Sequence, residues 1–310
     1  MKHDAPAPQA TEIAVVQFKP IKGDIDGNLA ALGAIFAQLQ ASGAPQHVVL
    51  PEACLTGYFL EGAVYELALT AEHFAQTLHD CWRSAAGGTP APADILCGFF
   101  ENDGGTFYNS AIYVTVGGPA PVIVHVHRKM FLPTYGVFDE ERFHSRGRHL
   151  GVFRSAFGPA AMLICEDAWH SIMPTIAALK GARLIVIPSA SPGRGLGGGG
   201  MLESVERWRA VASLTASEHG VYVVYAGLTG FEGGKGMSGG SCIVSPRGEI
   251  LESLDELSVA ILRARLHGTE VDVARAALPL LGDHSAVLPD LWYDDELPLP
   301  RAVFDDAAGR

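Results

Sequence analysis

Two short runs decide the fold: VVLPE (48–52) and IVIPS (185–189). Each is a brief apolar strand that ends at a proline and then a polar side chain. Each follows a stretch with apolar residues at helical spacing, the first being 27–42 with Leu29, Leu32, Ile35, Phe36 and Leu39. Continuous apolar strands flanked by helices are buried on both faces, which is the signature of layered α/β architecture. Outward from these runs, IAVVQF (13–18), 95–100, 107–116, 121–128, 150–156, 162–165, 221–226, 241–245, 249–254 and 259–266 read as further strands. Helices are expected at about 63–85, 170–180, 201–219 and 270–281. A dozen strands is many for one open sheet, so two sheets are expected. The pattern gives one domain, 12–268, after a disordered leader at 1–11. A C-terminal helix and acidic tail follow at 269–310, with Leu291, Trp292 and Phe304 expected to dock on a partner subunit.

Composition narrows the function. The 310 residues are 48% hydrophobic and carry a formal net charge of −12. An acidic surface repels phosphate backbones, so nucleic acid is an unfavourable partner. The N-terminus has no apolar core of a signal peptide, and no apolar run reaches membrane-spanning length, so a soluble protein without a membrane partner is expected. The five cysteines (54, 81, 97, 165 and 242) form no CxxC pair. A disulfide scaffold is improbable, and a reducing cytoplasmic setting fits.

Three polar residues stand at strand ends, where open α/β sheets place their sites. Cys165 follows AMLI and precedes a helix, so backbone N–H groups there favour a thiolate. Glu52 ends VVLPE, and Lys129 ends VIVHVHRK. Taken singly, a core cysteine and exposed loop charges are the commoner readings. His125 and His127 share a strand face, a spacing that suits a metal pair. With no third ligand in view, a solvated face is the better reading of them. SGGS (238–241) is similar to a pyrophosphatase loop but lacks the aspartate that follows it, and GRGLGGGG (193–200) lacks the ending of a phosphate loop.

PEACLTGY (51–58), RKMFLPTYGVFDEERF (128–143) and CEDAWH (165–170) together resemble the three signature segments of the nitrilase, or carbon–nitrogen hydrolase, superfamily. They stand in its order, and GGSCIVSPRGEIL (239–251) resembles its late strand pair. The resemblance covers about 12–266. It implies a four-layer α-β-β-α sandwich and a Glu–Lys–Cys triad needing no cofactor or metal. Glu52 would be the general base and acid, Lys129 the oxyanion stabiliser, Cys165 the nucleophile and Glu140 the second glutamate, with Glu141 as its neighbour. The backbone N–H of Glu166 would complete the oxyanion hole. LPTYGVFDE and CEDAW are most similar to the glutaminase domain of glutamine-dependent NAD synthetases. That likeness implies Tyr58, Tyr135, Glu166, Ser189 and Ser191 as substrate-binding residues. A basic residue expected near 193–200 is not clearly matched, and the synthetase domain is expected to be absent. The implied activity is hydrolysis of a small-molecule amide, a glutamine-like ω-amide above all, by a homodimer or larger homo-oligomer. A nitrilase, or a glutaminase subunit feeding a separate NAD synthetase, is the alternative.

Overall fold

The structure, a computed structural model, describes residues 10–195 and 201–292. The chain first lays down β1 (Thr11–Gln17), β2 (His47–Val49), β3 (Ala93–Asp103), β4 (Thr106–Val116) and β5 (Val122–Arg128). It then builds a second sheet from β6 (Phe153–Ser155), β7 (Gly158–Met162), β8 (Leu184–Ser189) and β9 (Tyr222–Gly227). A hairpin of β10 (Thr229–Glu232) and β11 (Lys235–Ser238) follows, then β12 (Cys242–Val244) and β13 (Ile250–Ser253) complete the second sheet. Finally β14 (Ala260–Leu266) returns to pair antiparallel with β1. The orders are β14-β1-β2-β3-β4-β5 and β6-β7-β8-β9-β12-β13. Both sheets show the same pairing: one antiparallel edge, three parallel strands, then two antiparallel strands. The VVLPE and IVIPS strands are the middle members of the two parallel triplets.

Helices α1 (Ile25–Ala41), α2 (Val64–Leu67) and α3 (Ala71–Ser84) belong to the first half; α4 (Ile172–Leu179) and α5 (Glu203–His219) to the second. Asp24 starts α1 by accepting the Gly27 N–H at 3.0 Å, and Thr70 starts α3 by accepting that of His73 at 3.2 Å. The apolar stripe of α1, with Leu32, Phe36 and Leu39, meets Phe74, Leu78 and Trp82 of α3 and the Ala14/Val16 face of β1. The opposite face of β1, Ile13 and Val15, joins Ile185, Val223 and the buried residues of α4 and α5 in the second core. Alternate side chains of one strand thus serve two cores, which is how two sheets and two helical layers become the four-layer sandwich.

Three differences from the sequence reading have local causes. The helix expected over 63–85 breaks at Leu69, whose N–H and C=O pair with Phe100 and Asn102 as an extra bridge beside β3. The hairpin β10–β11 escaped notice because its strands are too polar for an alternation pattern. Its turn, Gly233-Gly234, has positive φ at both glycines, as a tight hairpin requires. At the C-terminus, α6 (Gly268–Ala277) buries Val271 in the core, so packed structure continues beyond 268. Leu278, before Pro279, leaves the helical region, and α7 (Leu280–Trp292) restarts and packs on α4 and α5. Of the expected leader 1–11, Thr11 already begins β1, paired with Leu266, and residues 1–9 lie outside the described residues, as do the glycine run 196–200, Phe304 and the side chains of Leu291 and Trp292. No helix among the described residues is long and apolar enough to cross a membrane.

Candidate active site

The polar residues at the strand ends converge. Glu52 lies just past β2, Lys129 directly past β5 and Cys165 just past β7. Lys129 is fully buried, and its Nζ donates to Glu52 Oε1 at 2.9 Å and to Glu140 Oε1 at 2.6 Å. Asn109 Nδ2 donates to the same Glu52 oxygen at 2.7 Å, while the Ala190 N–H donates to Glu52 Oε2 at 2.7 Å. Tyr58 donates its hydroxyl to Glu140 Oε1. A buried ammonium is tolerable only when paired this closely. Burial disfavours the charge on Lys129, but the Glu140 and Glu52 carboxylates outweigh it and hold its pKa well above the usual lysine value. Glu140 is pushed up to about 7, mainly by burial and against the pull of Lys129. Glu141, its neighbour, is exposed.

Cys165 opens the 3₁₀ turn Cys165–Trp169 with φ of 44°, a left-handed conformation that costs a non-glycine residue about 1–2 kcal/mol. Such strain turns the side chain out of the strand while the following amides start a helix. The thiol pKa is raised, first by burial and then by Glu52, with Lys129 and the Ser189 hydroxyl acting the other way. Glu52 reaches this position because residue 98 is glycine: a Cβ there would lie 2.4 Å from the Glu52 Cα.

Asp167 ties the thiol turn to the lysine strand. Its Oδ1 accepts the N–H groups of Met130 and Phe131, both at 2.9 Å; its Oδ2 accepts those of Ile164 at 3.2 Å and of the His127 ring at 2.9 Å. His127 is therefore buried and engaged, not part of a solvated face, and His125 is half-buried, stacked on Phe153. Periodicity put the two histidines on one face correctly, but β6 covers that face. SGGS is likewise structural: Ser241 Oγ donates to Gln17 and accepts the Gly227 N–H.

A pocket of about 390 Å³ opens onto Cys165. Tyr135, Glu166, Ser191, Arg194, Glu203 and Arg207 contribute to its wall. Tyr135 donates to Glu166 Oε2 at 2.8 Å. Arg207 is engaged by Glu203 at 2.6 Å, whereas Arg194 has no carboxylate partner among the described residues. Two expected substrate residues sit elsewhere. Tyr58 lines a second cavity of about 290 Å³ behind Glu140, and Ser189 is fully buried beneath the thiol. The sequence reading missed Asn109, Asp167, Arg194 and Glu232. Glu232, on β10, accepts the N–H groups of Tyr58 and Phe59 at 2.8 and 3.0 Å and so fixes the loop that reaches Glu140. Asp167 had a signal, a carboxylate beside the cysteine at a helix start; Asn109 and Glu232 act across strands and had none.

The profile of the Carbon-nitrogen hydrolase family matches residues 12–275. The chain belongs to that family. Carbon–nitrogen hydrolases similar to it include a nitrilase of Pyrococcus abyssi, 30% identical over 259 residues that span 80% of this chain and 88% of the relative. An omega-amidase of Danio rerio is 28% identical over 77% of this chain and 82% of its own length. The glutamine-dependent NAD(+) synthetase of Thermotoga maritima is 29% identical over 77% of this chain but only 39% of its own length. The chain thus matches about two fifths of the synthetases it resembles. Among solved structures, a carbon-nitrogen hydrolase from Helicobacter pylori G27 superposes with a TM-score of 0.79 at 21% identity, covering 92% of this chain and 99% of that one.

Proposed function

We propose that this carbon–nitrogen hydrolase is an amidase that releases ammonia from a small ω-amide through a cysteine thioester. The observation that carries it is the buried ammonium of Lys129 held between Glu52 and Glu140 beside a strained, pocket-facing Cys165. Glu52 takes the thiol proton as sulfur attacks the amide carbonyl. The oxyanion that forms meets the Lys129 ammonium and the N–H of Glu166, the second residue of the thiol turn, where helix-start amides have no acceptor of their own. As the C–N bond breaks, Glu52 returns the proton to the leaving nitrogen. Water then attacks the thioester with Glu52 again as base, giving a carboxylic acid and the free thiol. Glu140 anchors Lys129 so that the ammonium keeps its charge throughout.

The pocket favours a substrate carrying both charges. Arg194, whose guanidinium has no carboxylate partner among the described residues, can meet a carboxylate, while Glu166 and Tyr135 offer oxygens to an ammonium group. A glutamine-like amino acid amide has both. Ammonia release from matched amides and nitriles tests this reading. Glutamine and other carboxylate-bearing ω-amides are expected to turn over faster than neutral aliphatic amides, and nitriles slowest. Preference for nitriles would overturn the amidase assignment.

A second reading is favoured by the matched length: the synthetases share this portion and extend well beyond it. In that reading the chain is a glutaminase subunit that hands ammonia to a separate NAD synthetase. Glutaminase activity that rises several-fold on adding such a synthetase, and not otherwise, would distinguish it from a free-standing amidase.

A further inference from the structure

Helix α5 begins at the pocket, with Glu203 in the wall, and ends at His219. Sixteen residues of rise separate those ends by about 24 Å. At the far end, α7 lays His284 beside Glu218 and His219. Glu218 Oε1 is 3.8 Å from His284 Nε2, and Glu218 Oε2 is 4.0 Å from His219 Nε2. One potential ligand atom from each residue falls within 4.8 Å of the others, the one such trio of His, Cys, Asp and Glu among the described residues.

These separations are too long for hydrogen bonds, so the groups face one another without bonding. His219 is buried, its sole side-chain hydrogen bond among the described residues is a weak one between Nε2 and Thr175 Oγ1 at 3.4 Å, and its Nδ1 has no partner there; neither has the Nδ1 of His284. Buried imidazoles are normally satisfied on both nitrogens. Arg275 is close by, but its guanidinium is spent on the carbonyls of Ala182, His219 and Gly220. Two imidazoles and a carboxylate form the usual three-ligand set for zinc, with water in the fourth position. Bonds of about 2.0–2.2 Å in a tetrahedron put ligand atoms about 3.4 Å apart; the trio, one atom from each within 4.8 Å of the others, would draw together by about an ångström on binding.

We propose that Glu218, His219 and His284 bind a divalent transition-metal cation of the zinc class, which staples α7 to the end of α5. The site lies at the opposite end of α5 from the pocket, so a metal there would hold α7 in place and take no part in the amide chemistry. It fixes where the chain leaves the sandwich after α6, across the Leu278–Pro279 break, and makes docking of the last described helix depend on metal.

The test uses the full chain, stripped of metal with a chelator and titrated with zinc chloride. Calorimetry is expected to show one equivalent bound, and the melting temperature to rise by about 4 °C at saturating zinc. His284→Ala and Glu218→Gln should each weaken that binding at least tenfold and abolish the temperature shift, with ammonia release unchanged. Glu218 is partly exposed, so its variant stays informative even if His284→Ala folds poorly. Absence of a bound equivalent in the wild type would overturn the proposal. So would variants that bind zinc as tightly as the wild type, because the metal would then sit on other histidines.

Discussion

Lys129 concentrates the chemistry at the residue scale, because one ammonium bridges two carboxylates and, in the proposed reaction, also meets the oxyanion. Replacing it with methionine is expected to lower turnover by at least about 100-fold, the worth of one oxyanion donor. It should also cost about 3–5 kcal/mol of stability, since Glu52 and Glu140 then face each other unpaired. The double variant Lys129→Met/Glu140→Gln separates the two effects: melting should recover while ammonia release does not. Recovery of activity in the double variant would refute the oxyanion role. Cys165→Ala should abolish turnover with little change in melting, because alanine keeps the same strained φ; ammonia assays of all five single Cys→Ala variants check that no other thiol substitutes. Glu140 supplies a pH signature. Its folded pKa near 7 lies above the unfolded carboxyl value, so the folded state holds the extra proton between them. Its stabilising contribution is complete below about pH 4.5 and is lost as pH rises through 7. Melting curves from pH 5 to 8 should therefore fall more steeply for wild type than for Glu140→Gln; parallel curves would remove Glu140 as the titrating group.

Elements matter here through what holds their ends in register. Asp167 joins the start of the thiol turn to the two residues after Lys129, and His127 completes the grip. Asp167→Ala is expected to cut kcat 10- to 100-fold with KM nearly unchanged, because the pocket wall does not include Asp167 and only the Cys165–Lys129 geometry relaxes. A change confined to KM would show that Asp167 serves binding instead. This network also marks the limit of reading the chain alone. The strand-end positions of Glu52, Lys129 and Cys165 were legible because apolar runs stop abruptly at them. The repeated helix–strand–polar unit was legible because both sheets use one pattern. Asn109, mid-strand in β4, and Glu232, on the glycine-turned hairpin, were not. Their partners are 57 and 174 residues away, and no local pattern records such a separation. Tyr135, Glu166 and Ser191 of the pocket wall came from the motif resemblance, whereas Arg194 and Glu203 were illegible for a related reason: they flank the glycine run, where periodicity gives no direction.

At the scale of the whole molecule, the helical layer over the second sheet is incompletely covered. Trp169, Ile172 of α4, Leu214 of α5 and Val287 of α7 are exposed on elements that pack together. Leu214 is 66% exposed in the middle of a helix whose other face is core. We propose that this layer pairs with its own copy in a two-fold homodimer, so that each leucine meets the same patch across the axis. Light scattering should then give twice 32.8 kDa for the full chain. Leu214→Glu places two like charges in that contact and should yield monomers with unchanged melting below the dissociation concentration. Deleting the C-terminus needs care, because a chain cut near Gly282 loses α7 and bares the faces of α4 and α5 that α7 covers. Ending the chain at Trp292 keeps α7 and removes only the segment beyond it. If that shorter chain falls to a monomer while Leu214→Glu stays dimeric, the contact belongs to the tail. If the outcome is the reverse, the helical layer is the interface. A full chain that scatters as a monomer across micromolar concentrations would sink both versions, leaving the four exposed side chains as ordinary surface.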